Sequence, residues 1–316
     1  MKIVLLDAAT LGKGLDFSKL YSFGEVVIYE NSKEDEITDR ICDADIIIIN
    51  KAKINDKTLS KAKKLKLICV FATGFDNVNV PAAKEKGIAV CNVKGYSTHS
   101  VAQLTVLMAL TLIGRISDYT DFVKSGEYTK SGVPNHLDPV FCELSGKTWG
   151  VVGAGAIGKQ VARVAEAFGC KVLAFKRTPE DGLNCVSLET LLKESDILSI
   201  HTPLNDGTRG LIGEKELDMM KPSAILINVA RGAVTNEDAV AKAVLDGKIG
   251  GFASDVYSTE PFPKEHPFNA LLGCKNVMLT PHMAWGAAEA RARCLDEIIL
   301  NINAFLSGEM RNRVDI

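Results

Sequence analysis

The sequence lacks an excess of charge of either sign, with 37 Lys and Arg against 39 Asp and Glu over 316 residues. That balance excludes a strongly basic stripe, and with it nucleic acid as the main partner. Long hydrophobic runs near the start are also missing. The stretch Ile3 to Leu6 is ended by Asp7, too short for a signal peptide or a membrane span, so a cytoplasmic protein with no membrane partner is expected. The eight cysteines, at 42, 69, 91, 142, 170, 185, 274 and 294, include no C-x-x-C pair. Several stand inside apolar strand patterns, as Cys69 and Cys91 do, and they read as reduced, mostly buried thiols. No His, Cys or carboxylate pair has zinc-ligand spacing, so no metal is expected. Internal repeats and low-complexity runs are absent.

What is present is alternation. Short apolar runs at Lys2 to Asp7, Glu25 to Tyr29, Asp45 to Asn50, Leu67 to Phe71 and Ile88 to Cys91 read as strands. Helical patterns lie between them, near 33 to 42, 57 to 63 and 79 to 86. The rhythm resumes later, with strands at Ile197 to His201, Ala224 to Val229, Phe252 to Val256 and Val277 to Thr280, and helices near 188 to 194, 214 to 220 and 236 to 246. Such alternation predicts parallel sheets covered by helices, and the length suffices for two domains. A long apolar helix is expected from Ser97 to about Lys124, buried between domains or against a second subunit. A polar connection from Ser125 to Pro139 follows it, and an amphipathic helix from Gly286 to Leu306 ends the pattern.

The stretch from Lys147 to Thr178 organises the rest. An apolar run, Trp149 to Val152, turns through Gly153, Ala154 and Gly155 into a helical pattern from Ile157 to Phe168, and a second apolar run, Val172 to Phe175, follows. In this strand, turn, helix and strand order, Gly153 permits the turn, Gly155 lets a pyrophosphate approach the backbone, and Gly158 lets the helix pack on its strand. A dinucleotide's phosphates are expected on the helix's first N–H groups. An acidic residue about 20 positions on would hold a ribose 2′-hydroxyl. Here Lys176, Arg177 and Thr178 stand 18 to 20 residues after Gly158. A guanidinium and an ammonium suit a 2′-phosphate, so NADP is expected over NAD.

Ligands of parallel sheets bind beyond the carboxyl ends of the strands. The loop after Phe71, with Thr73 and Gly74, is therefore a candidate substrate contact, and Lys51 and Lys94 also follow strands. Downstream of the nucleotide motif, Arg231, Glu260 and His282 combine reactive side chains with strand-end placement. A guanidinium holds a carboxylate and polarises a carbonyl, an imidazolium gives the oxygen its proton, and a carboxylate orients that imidazole and favours its charged form. His201 also ends a strand, lining the cofactor cleft, and is the rival acid. His266, between Glu265 and Pro267, reads as a loop residue, and His99 and His136 lie away from the strand ends.

Seven segments resemble one family, the D-isomer-specific 2-hydroxyacid dehydrogenases: FATGFDNVNVPAAKEKGIAVCNV, SVAQLTVLMAL, ELSGKTWGVVGAGAIGKQVA, HTPLNDGTRGLI, INVARGAVTNEDAV, SDVYSTEP and LTPHMAWGAAEAR. The resemblance spans nearly the whole chain. It implies two α/β, Rossmann/flavodoxin-like, doubly wound parallel-sheet domains with a cofactor cleft between them. Residues 1–98 plus 287–316 would form the substrate domain, and 99–286 the dinucleotide-binding domain. Arg231, Glu260 and His282 would be the catalytic triad, with His282 as acid and base. Asp255 would meet the nicotinamide end, and the Thr73-Gly74 backbone would bind the substrate carboxylate. The matching motifs also place Ala156, Ile157, Thr202, Pro203, Thr208, Val229 and Ala230 on the cofactor, and a homodimer packed through the nucleotide domain and its long helix is implied.

Trp285, Gln103 and Lys51 look like the glyoxylate and hydroxypyruvate reductase (glycerate dehydrogenase) branch, with Trp285 near cofactor and substrate. The expected activity is reduction of hydroxypyruvate to D-glycerate and of glyoxylate to glycolate. Lys176, where the family usually has an acid, departs from an NAD site. No further regulatory domain is expected after the last helix, which counts against the longer phosphoglycerate dehydrogenases, and Glu260 disfavours a formate dehydrogenase. A D-lactate-type reductase is an alternative of the same class. A dinucleotide-sensing, corepressor-like binding protein is the alternative of another.

Overall fold

The computed structural model describes residues 1–178, 180 and 182–316. The chain divides into two compact units, one of Met1–Ser97 with Trp285–Ile316, the other of Thr98–Ala284.

The first unit is built on β1 (Lys2–Leu5), β2 (Glu25–Ile28), β3 (Ile46–Ile49), β4 (Leu67–Val70) and β5 (Ala89–Cys91). They lie in the order β2-β1-β3-β4-β5 and pair in parallel throughout. The four isoleucines of β3 show why this strand is central, since a parallel strand with both faces covered reads as an unbroken apolar run. Ile46 and Ile48 join Ile3, Leu5, Leu67 and Cys69 in one core, while Ile47 and Ile49 join Val4, Ile68 and Val70 in another. The first core is closed by the C-terminal helix Ala288–Leu306, whose Ala290, Cys294, Leu295, Ile298 and Ile302 recur at helical spacing on one face. The second is closed by α1 (Glu34–Arg40) and α2 (Val80–Glu85), through Ile37, Ala82 and Ala83. The helix expected near 57 to 63 is a short 3-10 turn, Thr58–Lys61.

The second unit opens with α3 (Thr98–Ile113), α4 (Ile116–Lys124) and α5 (Glu127–Ser131). The single helix expected from Ser97 to Lys124 is therefore two, bent by 65°. The break lies at Arg115, which is left-handed at φ 52, and whose Nε donates 2.7 Å to Asp118 Oδ2. Lys275 joins the buried Asp118 at 3.2 Å. An apolar period cannot reveal that bend, because it runs on through both halves. The short α5 falls inside the expected polar connection.

There follow β6 (Thr148–Val152), α6 (Ala156–Ala167), β7 (Lys171–Phe175), α7 (Leu188–Glu194), β8 (Ile197–Ile200), α8 (Glu214–Asp218), β9 (Ile225–Asn228), α9 (Glu237–Leu245), β10 (Gly251–Ser254) and β11 (Val277–Leu279). The parallel sheet runs β11-β10-β9-β8-β6-β7. In both sheets the first strand of the unit lies between its second and third. The strand order thus reverses there, where doubly wound sheets bind ligands.

All eight cysteines are free, but only Cys69, Cys91, Cys170 and Cys294 are buried; Cys42 and Cys142 are exposed. Among the described residues no single helix is long and apolar enough to cross a membrane. Nor do three or more His, Cys, Asp or Glu gather there as a metal site would require.

Candidate active site

In the second unit the site begins where β6 ends. Val152 O accepts from His201 N at 2.7 Å and Gly153 N donates to Phe175 O at 2.9 Å, so the turn is pinned to the ends of both neighbouring strands. Gly153 has φ +90, and a Cβ there would stand 2.7 Å from Thr202 N. One on Gly158 would stand 2.4 Å from Gly153 O. These two positions leave no room for a side chain. Gly155 is the reverse, since nothing lies within 4 Å of where its Cβ would be. No side chain caps α6, and no acidic residue stands in its first turn. The N–H groups of Ala156, Ile157 and Gly158 thus begin a helix whose positive end is neither capped nor neutralised, beside an open backbone. That is the environment a pyrophosphate needs, and the residues present fit a dinucleotide.

Lys176 follows β7 as expected, but it is ion-paired with Glu180 one turn on, and Lys159 of α6 reaches the same carboxylate. Hydrogen bonds from Lys159 and then Lys176 pull the Glu180 pKa down to about 2. A carboxylate is thus present after all, four residues later than the position inspected. Arg177 and Thr178 are exposed.

His201 corrects an expectation. Burial pushes its pKa down to about 3, its Nε2 lies 2.9 Å from Ser199 Oγ, and its Nδ1 is buried with no partner among the described residues. Burial that disfavours the charged imidazole counts against His201 as the rival acid. After it, Thr202, Pro203 and Thr208 share a loop fixed by the Thr208 hydroxyl, which donates 2.6 Å to Pro203 O.

The reactive residues stand on loops after β9, β10 and β11. Asn228, the last residue of β9, accepts from Ala230 N at 3.1 Å and donates to Arg231 O at 2.9 Å, which fixes the turn through Val229 and Ala230 that carries Arg231. Arg231 itself donates from one terminal nitrogen to Ala230 O at 2.9 Å. Glu260 and His282 are brought together: His282 Nδ1 lies 2.6 Å from Glu260 Oε2, with side chains 23% and 28% exposed and so reachable by a small molecule. Asp255, fully buried, is committed to the His282 loop. Its carboxylate accepts from Thr280 Oγ1 at 2.6 Å and from the Met283 and Ala284 N–H groups at 2.8 Å each. Burial raises its pKa against the pull of those donors. His282 sits at φ 52, in the left-handed region that a non-glycine residue rarely adopts.

His266 lies outside the helices and strands, as expected of a loop residue. It is buried, caps the 3-10 helix Pro267–Leu271, and meets Glu237 at 3.0 Å. Its partner lies 29 residues away, a separation that no local pattern reveals.

Thr73, Gly74, Lys51 and Trp285 belong to the first unit. There the Asp7 carboxylate accepts from the N–H groups of Asn50, Lys51 and Ala52, at 3.0, 2.6 and 2.8 Å. Asn77 donates 2.8 Å to Ala52 O, tying the loop after β4 to the loop after β3. Thr73 Oγ1 donates to Val93 O at 2.7 Å, and Trp285 packs half-buried on the core. Sequence reasoning overlooked Asp7 and Asn77; the signal for Asp7 was a lone carboxylate ending an apolar strand.

The family described as D-isomer specific 2-hydroxyacid dehydrogenase, NAD binding domain, matches residues 106–284. A glycerate dehydrogenase of Methylorubrum extorquens is 39% identical, over 99% of both chains. A glyoxylate reductase of Thermococcus litoralis is 42% identical over 82% of this chain and 79% of its own. The structure of an acyclic imino acid reductase in complex with NADPH and D-Arg superimposes with a TM-score of 0.87 at 30% identity, covering 99% of this chain and all of that one. With the glycine turn, the two parallel sheets and these relatives on the page, the chain belongs to the D-isomer-specific 2-hydroxyacid dehydrogenase family.

Proposed function

We propose that the protein is a reductase of small 2-oxo acids, converting hydroxypyruvate to D-glycerate and glyoxylate to glycolate with NADPH. The observation that carries this reading is the 2.6 Å contact between His282 Nδ1 and Glu260. A carboxylate on Nδ1 fixes the ring and its tautomer, and Nε2 becomes the nitrogen that gives a proton to the carbonyl oxygen. Arg231, held by Asn228, takes the substrate carboxylate and polarises the carbonyl. The reduced nicotinamide, when bound, supplies the hydride. In the first unit Thr73, Gly74 and Lys51 are proposed substrate contacts, supported by their strand-end loops, which Asn77 ties together.

For the cofactor, Lys176 and Arg177 support NADPH over NADH. Glu180 works against it, because a 2′-phosphate must compete with that carboxylate for Lys176. Charge-assisted hydrogen bonds contribute about 1.5–3 kcal/mol, so Lys176→Ala is expected to raise the KM for NADPH roughly tenfold or more and to leave that for NADH nearly unchanged. We also propose a homodimer through α3, where the apolar Leu107 is exposed along with His99 and Gln103; sedimentation would test it.

The deciding experiment is turnover on a panel of 2-oxo acids with each reduced cofactor. Hydroxypyruvate and glyoxylate are expected to lead. Tight dinucleotide binding without turnover on any of them would replace the enzyme reading with a sensor.

A further inference from the structure

We infer that Glu237, on the first turn of α9, is a positioning residue that holds the Glu260 loop in place and acts on the reaction through Glu260. This inference rests on the proposed pairing of Glu260 with His282.

The Glu237 side chain is 9% exposed, and its hydrogen bonds among the described residues run away from its own helix into the segment 257 to 266. Oε1 accepts from Ser258 N at 2.8 Å. Oε2 accepts from the Ser258 hydroxyl and lies 3.0 Å from His266 Nε2. The tautomer of His266 follows from its other side. Nδ1 accepts from Phe268 N at 3.2 Å and therefore carries no proton, so Nε2–H is the donor to Glu237. One carboxylate thus clamps the loop at two points, eight residues apart, with Glu260 between them. The ring of His266 is locked among Phe262 and Phe268, with centroids at 4.9 and 5.0 Å.

The clamp sits two residues from Glu260, whose own Oε1 accepts from Tyr257 N at 3.1 Å. Tyr257 in turn donates from its hydroxyl to Thr280 O at 2.8 Å, two residues before His282. Arg231 is coupled to the same place through its neighbour. A Cβ on Gly232 would lie 2.0 Å from Tyr257 C and 2.2 Å from Ser258 N, so the Arg231 turn rests directly on the clamped backbone. Burying a carboxylate is costly unless its acceptors are filled. Here they are filled from one loop, and that loop carries a reactive residue.

The test is a double-mutant cycle of Glu237→Ala and Glu260→Gln, read as reductive kcat/KM for hydroxypyruvate and as NADPH dissociation by fluorescence. A displacement of about an ångström costs up to 10²-fold in rate. Glu237→Ala is accordingly expected to lose about 10- to 10²-fold in kcat/KM, with the loss in kcat and NADPH affinity unchanged. In the Glu260→Gln background the same change is expected to cost less than about threefold, since residues acting through one contact are not additive. Equal losses in both backgrounds, or no loss from Glu237→Ala, would overturn the positioning role alone. Full activity of Glu260→Gln would overturn the His282 pairing and this inference together. Should Glu237→Ala not fold, Glu237→Gln serves. It keeps the Ser258 N–H acceptor but turns an amide donor on the His266 N–H, and the same non-additivity is expected with smaller losses.

Discussion

The two sheets share a strand order and treat the point where it reverses in opposite ways. In the second unit the chain leaves β6 through Gly153, and the helix that follows begins without a cap or an acid. In the first unit the chain leaves β1 and reaches Asp7, whose carboxylate accepts three backbone N–H groups from the loop after β3. One switch point leaves backbone donors ready for an anion, and the other has an anion built in. Topology alone therefore does not make a phosphate site; what stands after the first strand decides it.

Three substitutions would break or sharpen that contrast. The largest effect is expected from Gly153→Ala, which forces a Cβ to 2.7 Å from Thr202 N at φ +90. Overpacking of about 1–3 kcal/mol would weaken dinucleotide binding by about 10- to 10²-fold in a fluorescence titration, without unfolding the first unit. Asp7→Ala should do the converse. Buried N–H groups left without an acceptor cost about 1–3 kcal/mol, seen as a lower urea midpoint, while dinucleotide affinity holds. If Asp7→Ala instead abolished cofactor binding, the two switch points would not be separable.

The third effect, confined to acid pH, concerns His201, at the end of the third strand of its unit. Folding depresses its pKa from 6.5 to about 3. Between those values the unfolded chain binds a proton that the folded chain refuses, so this contribution to stability is intact above pH 6.5 and is lost as pH falls toward 3. His201→Asn is expected to flatten the acid side of the stability profile and to change nothing at pH 8. An unaltered acid limb would mean that the imidazole is not held neutral.

How much of this was legible in the sequence follows from the range of each signal. The strands were readable because both sheets are covered on both faces, so runs such as Ile46–Ile49 are apolar at every position. Gly153, Gly155 and Gly158 were readable because their meaning lies within one strand, turn and helix. The bend at Arg115 was not, since it is set by Asp118 and by Lys275, far along the chain. Glu180 was missed because the acid was sought at the strand end itself and stands four residues beyond Lys176. His266 is the loop residue expected, but its burial was not legible, because its partner Glu237 is brought to it only by the fold. The nearness of Glu260 to His282, by contrast, was expected from the chemistry a 2-oxo acid demands.

The most direct test of the central claim is the rate of hydroxypyruvate reduction by wild type and by His282→Ala, measured alongside NADPH affinity. The variant should be about 10²- to 10⁴-fold slower, the usual contribution of a general acid, with NADPH affinity unchanged. Near-normal turnover by His282→Ala would contradict it.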